Sequence, residues 1–378
     1  MENKIFLTVA IPTYNNAGCL ENLLNNILPQ VEKSQERVQV CISNNGSKDN
    51  TRNVAMAFSN KYPGLIKYNE NKENLGVDTN VIKVLEMSDG DFVWTFGDDD
   101  LMAKNGLSEV FEFIKKINKE KIGLILARTE SYFFDKKTGQ KIIERSTLDK
   151  SRPETFKINK EEVIGITFPD LGFLSALIYN NKLVHEILRE DKPIIELGIR
   201  TNHVHMLFFH LMFLKYPHID AIVMNKDVLV YQESARFKFF VEDKFLFHYQ
   251  VHKKLNKLLL SYKYMNDGYA PLIIKRDKVL RREFIIDMII LKTFGGFNCF
   301  SYFGCLKLFF QKAVFIDALS FSLVFSILFL IPSVFLRFLY RALLMVKYGK
   351  EWNKKWIITR DKCSVIYSGT RRRNDMAD

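Results

Sequence analysis

The chain lacks paired cysteines. Its five, Cys19, Cys41, Cys299, Cys305 and Cys363, are an odd number without metal-ligand spacing. That argues against a disulfide frame and for a reducing compartment. No P-loop, HExxH or Ser-His-Asp order is present. Helix-turn-helix, finger and ribonucleoprotein signatures are missing too, so nucleic acid is not an expected partner. There is no internal repeat and no low-complexity tract. Met1-Glu2-Asn3-Lys4 leads at once into a short strand, too brief for the apolar region of a signal peptide, so a cytoplasmic location is expected.

What is present is length, apolar content and positive charge. At 378 residues the chain exceeds one average domain, and 47% apolar residues suffice for an ordinary core. The formal net charge is +12. The part after Lys275 is rich in Lys, Arg and Phe. Basic residues interleaved with Phe and Leu suit an anionic membrane surface better than DNA.

The run Asp98-Asp99-Asp100 follows the apolar strand Phe92-Val93-Trp94-Thr95-Phe96, itself preceded by the turn Ser88-Asp89-Gly90-Asp91. Three adjacent carboxylates repel one another, so a fold keeps them together mainly where a cation or hydrogen-bond donors compensate. In open α/β sheets ligands bind beyond the carboxyl ends of strands. A divalent metal and a phosphate are therefore the leading reading, ahead of a solvated acidic loop capping the helix near Leu107.

Residues 1–130 alternate strand and helix. Phe6 to Ile11 is a continuous apolar run, as in buried parallel strands. Leu20, Leu23, Leu24, Ile27 and Leu28 then recur at helical spacing. Strands are expected over Val38–Ser43, Ile66–Tyr68 and Gly123–Ala127, with a helix from Val77 to Met87. This order specifies a doubly covered, mostly parallel sheet. Residues 131–170 are polar and charged, as in an excursion near the site. Further along, Gly172–Tyr179 is a buried stretch, His203–Leu214 a helix and Val228–Val230 a strand. From Phe239 onward the pattern is helical.

Between Asp317 and Arg337 lie nineteen uncharged residues, enough to span a bilayer marginally at about 1.5 Å per residue. A single span would place Arg337, Arg341 and Lys347 opposite the catalytic half, against the positive-inside rule. An in-plane or re-entrant helix over 318–336 is preferred, ahead of a buried core helix and then of a true span.

Four stretches fall at strand ends: Ile11–Asn15, Ser43–Thr51, Asn71–Asn80 and Phe96–Asp100. In this order and spacing they resemble family 2 of the nucleotide-sugar glycosyltransferases, well over residues 5–130. The likeness continues more thinly to about residue 235, where Gly172–Lys182 and Gly198–Met206 resemble abequosyltransferase-type members. The resemblance implies a Rossmann-like sheet of the GT-A kind over 1–235, with 1–130 the nucleotide-binding half and 131–235 the acceptor half. A basic, apolar helical extension of 236–378, associating with membrane, would follow.

The same resemblance implies nucleotide contacts from Pro12, Thr13, Tyr14, Asn15, Asn44, Asn74, Gly76, Asp78, Asp98 and Asp99. It places Mg²⁺ or Mn²⁺ on Asp98 and Asp100, with Asp100 facing the diphosphate. Several of these residues have plainer uses: a Pro-directed turn for Thr13–Asn15, an Asn-Gly turn for Asn44–Ser47, a helix cap for Asp49 or Asp78. Asn44 stands where many members carry an acidic residue, which leaves the base of the donor open.

An inverting transfer needs a base for the acceptor hydroxyl. Candidates are Glu196, His203, His205 and Asp170, with Glu196 and His203 level. Imidazole titrates near neutrality unaided and Glu only when desolvated. On a helix, His203 and His205 would point nearly opposite ways, against a zinc site. The expected function is metal-dependent transfer of a sugar from a nucleoside diphosphate sugar to a lipid-linked glycan in surface polysaccharide synthesis. The enzyme would be peripheral at the inner face of the cell membrane. The alternative is a membrane-associated scaffold of the same fold without catalysis.

Overall fold

The computed structural model describes residues 4–34, 37–134, 141–146, 153–158, 173–199, 201, 203–232, 254–276 and 330–348. One compact unit comprises Met1–Ser234 with Leu255–Arg276, and a second comprises Ala235–Lys254 with Asp277–Asp378. The return of the chain to the first unit, at 255–276, is not signalled by any composition change in the sequence.

The first unit is organised on a mixed sheet of ten strands among the described residues. Its parallel part comprises β1 (Leu7–Thr13), β2 (Val38–Asn44), β3 (Ile66–Glu70) and β4 (Phe92–Thr95), in the order β3-β2-β1-β4. Three helices connect them: α1 (Ala17–Glu32), α2 (Thr51–Lys61) and α3 (Val77–Glu86). After β4 come the short β5 (Asp100–Met102), α4 (Gly106–Lys116) and the long β6 (Ile122–Phe134).

β7 (Lys141–Ser146) pairs antiparallel with β6, and β8 (Thr155–Ile158) pairs antiparallel with β10 (Asp220–Gln232). β9 (Leu177–Asn180) inserts antiparallel between β4 and β6. Further helices of this unit include α5 (Asn181–Glu190), α6 (Lys192–Gly198) and α7 (Val204–Lys215). The second unit contributes α8 (Ser333–Tyr348).

Two expectations are corrected here. The sheet is mixed rather than mostly parallel, because β9 and β5 run against their neighbours. Short apolar runs carry no sign of strand direction, which pairing partners decide. The polar stretch expected as an excursion instead continues β6 to Phe134 and supplies β7 and β8. Strands at the sheet margin bury one face or none, so polarity does not exclude them. Residues 159–172, including Asp170, lie outside the described residues, as do most of 236–329.

Alternation along each central strand sorts its side chains between two cores. Leu7, Val9 and Ile11 of β1, Phe92 and Trp94 of β4 and Ile125 of β6 pack with α1 and α4 on one face. Ala10, Val93, Leu124 and Leu126 pack with α3, α5 and α7 on the other. Strand period two guarantees this division. α7 is buried on nearly every side, Val204 through Leu214, because residues of 255–276 such as Leu255, Leu259 and Ile273 join that second core. The parallel strands all end on one rim, where the four motif stretches gather.

Candidate active site at the strand-end rim

The rim is a hydrogen-bonded lattice of Asn, Ser and Thr side chains. Asn44 is fully buried; its amide donates to the Tyr68 hydroxyl at 3.0 Å and its Oδ1 accepts from the Ser47 N–H at 3.1 Å. Both ends of that side chain are thus committed to the turn after β2. Gly46 in this turn has φ +68, and a Cβ there would meet the Glu73 carbonyl carbon at 2.6 Å. Only glycine combines that backbone with that approach.

Asn45 donates to Asn74 Oδ1 (2.8 Å) and to Gly76 O (3.2 Å), joining this turn to the loop before α3. Asn80, buried on α3, donates to Ser43 O at 2.8 Å and to Thr13 O at 3.4 Å. Asn15 holds φ 47; its N–H donates to Ser47 Oγ (2.8 Å) and its Oδ1 accepts from Lys48 N (2.7 Å). Asp49 accepts from Thr51 N and from Ala17 N, both at 3.0 Å, so it binds the starts of α2 and α1 together. Pro12 pairs with Ser43 within the sheet, and Tyr14 stands 42% exposed above it. An exposed ring at this place offers a face for a base.

The acidic corner closes the rim. Asp98 accepts from Thr13 Oγ1 at 2.6 Å and from Asn16 Nδ2 at 2.7 Å, so the β1–α1 connection grips it from two sides. Asp100 is 4% exposed, begins β5 and pairs with Tyr231 in register. The Ser175 hydroxyl donates to Asp100 Oδ2, and the Gly97 N–H donates to Ser175 Oγ at 2.7 Å. Asp100 Oδ1 has no hydrogen-bond partner among the described residues.

Burial, then the neighbouring Asp99 and to a smaller extent Asp98, push the Asp100 carboxyl well above the usual carboxylate range, against the opposing Ser175 hydrogen bond. A buried, under-coordinated carboxylate beside two others fits a bound cation, which would supply the missing partner. Among the described residues no set of three or more His, Cys, Asp or Glu could hold a metal. A cation there would take further ligands from phosphate oxygens or water, as hard cations at phosphate sites commonly do.

Sequence reading did not find Ser175. Its only signal was a hydroxyl inside the apolar run Phe173–Leu177. The tight turn Leu174–Ala176 brings it over the corner, where Trp94 Nε1 donates to Ser175 O at 2.8 Å and Thr95 Oγ1 to Leu174 O at 2.7 Å.

The base candidates separate. Glu196 lies on α6 with its side chain 60% exposed and Lys192 Nζ 3.9 Å away one turn back, as on a solvated helix face. His203 sits at the N-cap of α7, its N–H donating to Thr201 Oγ1 at 3.2 Å. The next N–H, of Val204, donates to Asp78 Oδ1 at 2.9 Å. Asp78 is buried at the start of α3, so this bond ties His203 to the nucleotide rim. Burial lowers the imidazole pKa, with the Thr201 contact opposing. The rings of His203 and His205 lie 5.3 Å apart, not opposite as helical spacing implied, because His203 at φ −143 is still outside the helix.

Residues 8–174 match the family described as Glycosyl transferase family 2. The abequosyltransferase RfbV of Salmonella typhimurium is 39% identical over 104 residues, 28% of this chain and 31% of that protein. The poly(ribitol-phosphate) beta-N-acetylglucosaminyltransferase TarP of Staphylococcus aureus is 31% identical over 31% of this chain and 35% of its own. The matched segment thus spans about a third of the length of these relatives.

Among solved structures, S. aureus TarS 1-349 in complex with UDP-GlcNAc aligns over 97% of this chain and 92% of its own, with TM-score 0.54 and 16% identity. The mannosyltransferase PcManGT of Pyrobaculum calidifontis, in complex with GDP-Man and Mn²⁺, aligns over 86% and 85% with TM-score 0.51 and 13% identity. Likeness at these identities establishes a shared GT-A-like fold.

Proposed function

We propose that the chain, whose residues 8–174 match Glycosyl transferase family 2, moves a sugar from a nucleoside diphosphate sugar to a glycan acceptor. One observation carries this reading: a buried carboxylate, Asp100, with one oxygen lacking a partner among the described residues, at the strand-end rim beside Asp98, Thr13 and Asn16. A divalent cation, Mg²⁺ or Mn²⁺, held by Asp98 and Asp100 would supply positive charge to a leaving diphosphate.

The chain's own residues do the rest. Tyr14 offers a ring face to the base, and Asn45, Asn74 and Gly76 hold the loop that borders it. Asn44 spends both ends of its side chain on the turn, so it shapes the base pocket while Thr13 and Asp99 remain beside the acidic corner. His203 takes the proton from the acceptor hydroxyl as that oxygen attacks the anomeric carbon. This displacement inverts the sugar, and lowered basicity keeps His203 neutral and ready at mildly acidic pH.

The acceptor is read as lipid-linked and the product as surface polysaccharide. Two named relatives, an abequosyltransferase and a poly(ribitol-phosphate) transferase, support a glycan-building role. The charge of +12 supports work at the anionic inner face of a cell membrane.

The test is calorimetry with UDP, GDP, dTDP and CDP, with and without Mn²⁺, on the intact chain and on Asp100→Ala. Metal-dependent binding of one nucleotide, lost in the variant together with sugar-nucleotide hydrolysis, is expected. Binding of none would favour a non-catalytic scaffold and remove the proposal.

A further inference from the structure

Ser175, in the tight turn Leu174–Ala176, is fully buried, and its hydroxyl is committed at both ends. Oγ accepts from the Gly97 N–H at 2.7 Å. The hydroxyl proton goes to Asp100 Oδ2. A serine hydroxyl carries one proton only, so the two contacts together fix its direction. It points onto the carboxylate.

The backbone of the turn is held as firmly as the hydroxyl. Trp94 Nε1 donates to Ser175 O at 2.8 Å, and Thr95 Oγ1 donates to Leu174 O at 2.7 Å and to Leu177 O at 3.1 Å. Trp94 and Thr95 belong to β4, the strand that runs into the acidic corner. One strand therefore sets both Asp100 and the residue that meets it. On the other side, the Asp100 N–H donates to Gly97 O at 3.2 Å. A Cβ on Gly97 would fall 2.7 Å from Asp100 Oδ2, so that oxygen lies against the glycine as well as against Ser175. Oδ1 of the same buried carboxyl has no partner among the described residues. The two oxygens of one side chain are thus unequal.

We infer that Ser175 is a positioning residue that engages Asp100 Oδ2 so that the carboxylate offers a divalent cation one oxygen, Oδ1, and that it thereby selects Mg²⁺ or Mn²⁺ over Ca²⁺. This rests on the cation reading of the corner proposed above.

The physical ground is how the ions use a carboxylate. Mg²⁺ demands a nearly ideal octahedron with short bonds, and Mn²⁺ also suits octahedral oxygen sites. One oxygen from one carboxylate meets that demand. Ca²⁺ is larger, takes more ligands and readily draws both oxygens of a single carboxylate. Drawing in Oδ2 would break the Ser175 bond and leave a buried hydroxyl proton without an acceptor, which is costly. Hydrogen bonds to a ligating carboxylate commonly set metal affinity by about 10–100-fold.

The test follows Mn²⁺ binding by the paramagnetic resonance of the free ion, and its displacement by Ca²⁺. The full chain is used, alone and with each of UDP, GDP, dTDP and CDP. The parent should hold Mn²⁺ at least about tenfold more tightly than Ca²⁺. Ser175→Ala should weaken Mn²⁺ by about tenfold or more and change Ca²⁺ little, so the preference shrinks. A thermal melt accompanies each chain.

A parent that binds the two ions alike overturns the inference without recourse to any variant. Ser175→Ala that keeps the parent's preference overturns it too, as does equal weakening of both ions, which is how a hydroxyl with a merely structural role would act. Mn²⁺ bound by the parent in these last cases leaves the proposed function standing. A parent that binds no Mn²⁺ with any of the nucleotides removes the cation reading itself, and this inference with it.

Discussion

Asp78 Oδ1 accepts a hydrogen bond from the Val204 N–H at 2.9 Å, joining residues 126 positions apart in sequence. The first belongs to α3 and the second to the start of α7. His203, the base candidate, is the residue between this bond and the one from its own N–H to Thr201. Its backbone is therefore pinned on both sides. Sequence reading weighed Asp78 as a nucleotide contact or a cap. Its carboxylate accepts from the first N–H of α7.

Replacing Asp78 by Ala should cost about 1 kcal/mol of stability, as for a lost helix cap. It should also lower kcat at least about tenfold with little change in donor KM, since the base and not the nucleotide loses its anchor. Asp78→Asn keeps an acceptor oxygen and should recover most of kcat. Steady-state kinetics with a thermal melt for each variant decide it; equal losses in both would show that charge, not position, is at stake.

His203 is held below the ordinary imidazole pKa by burial. A lowered value in the folded state means that the unfolded chain binds the extra proton first. Stability attributable to this group is then fully present above the ordinary value near 6.5 and declines as pH falls through it towards the folded value. Activity should follow the folded value, so the acid limb of kcat lies below pH 6.5. His203→Gln should remove that limb along with most of the rate. A limb unchanged in His203→Gln would assign the base elsewhere.

Gly46 carries φ +68 with the Glu73 backbone at 2.6 Å from where a Cβ would be. Gly46→Ala should therefore destabilise by about 1–3 kcal/mol or more, through a strained backbone and a displaced Glu73 segment. Because Glu73 adjoins Asn74 and the loop to Gly76, donor KM should rise while kcat changes less. A melt together with donor titration measures both effects.

Cys41 is buried and its thiol is pushed up to about 12, chiefly by burial. At pH 8 it should resist iodoacetamide in the folded chain and react only on unfolding, because the thiolate is the reactive form. Mass spectrometry of labelled peptides reads this directly.

The local pieces, β1 through β4 with their helices, the acidic corner after β4 and the Asn-rich turns, were legible in the residue pattern alone. Each follows from local patterning, from period two or 3.6 and from turn chemistry, which neighbours in the chain suffice to specify. Only tertiary structure decided which strands run antiparallel, that Ser175 reaches Asp100, that Asn44 is spent on Tyr68 and Ser47, and that Asp78 serves α7. These depend on pairing and burial between residues far apart in the chain, which leave no periodic trace in either partner.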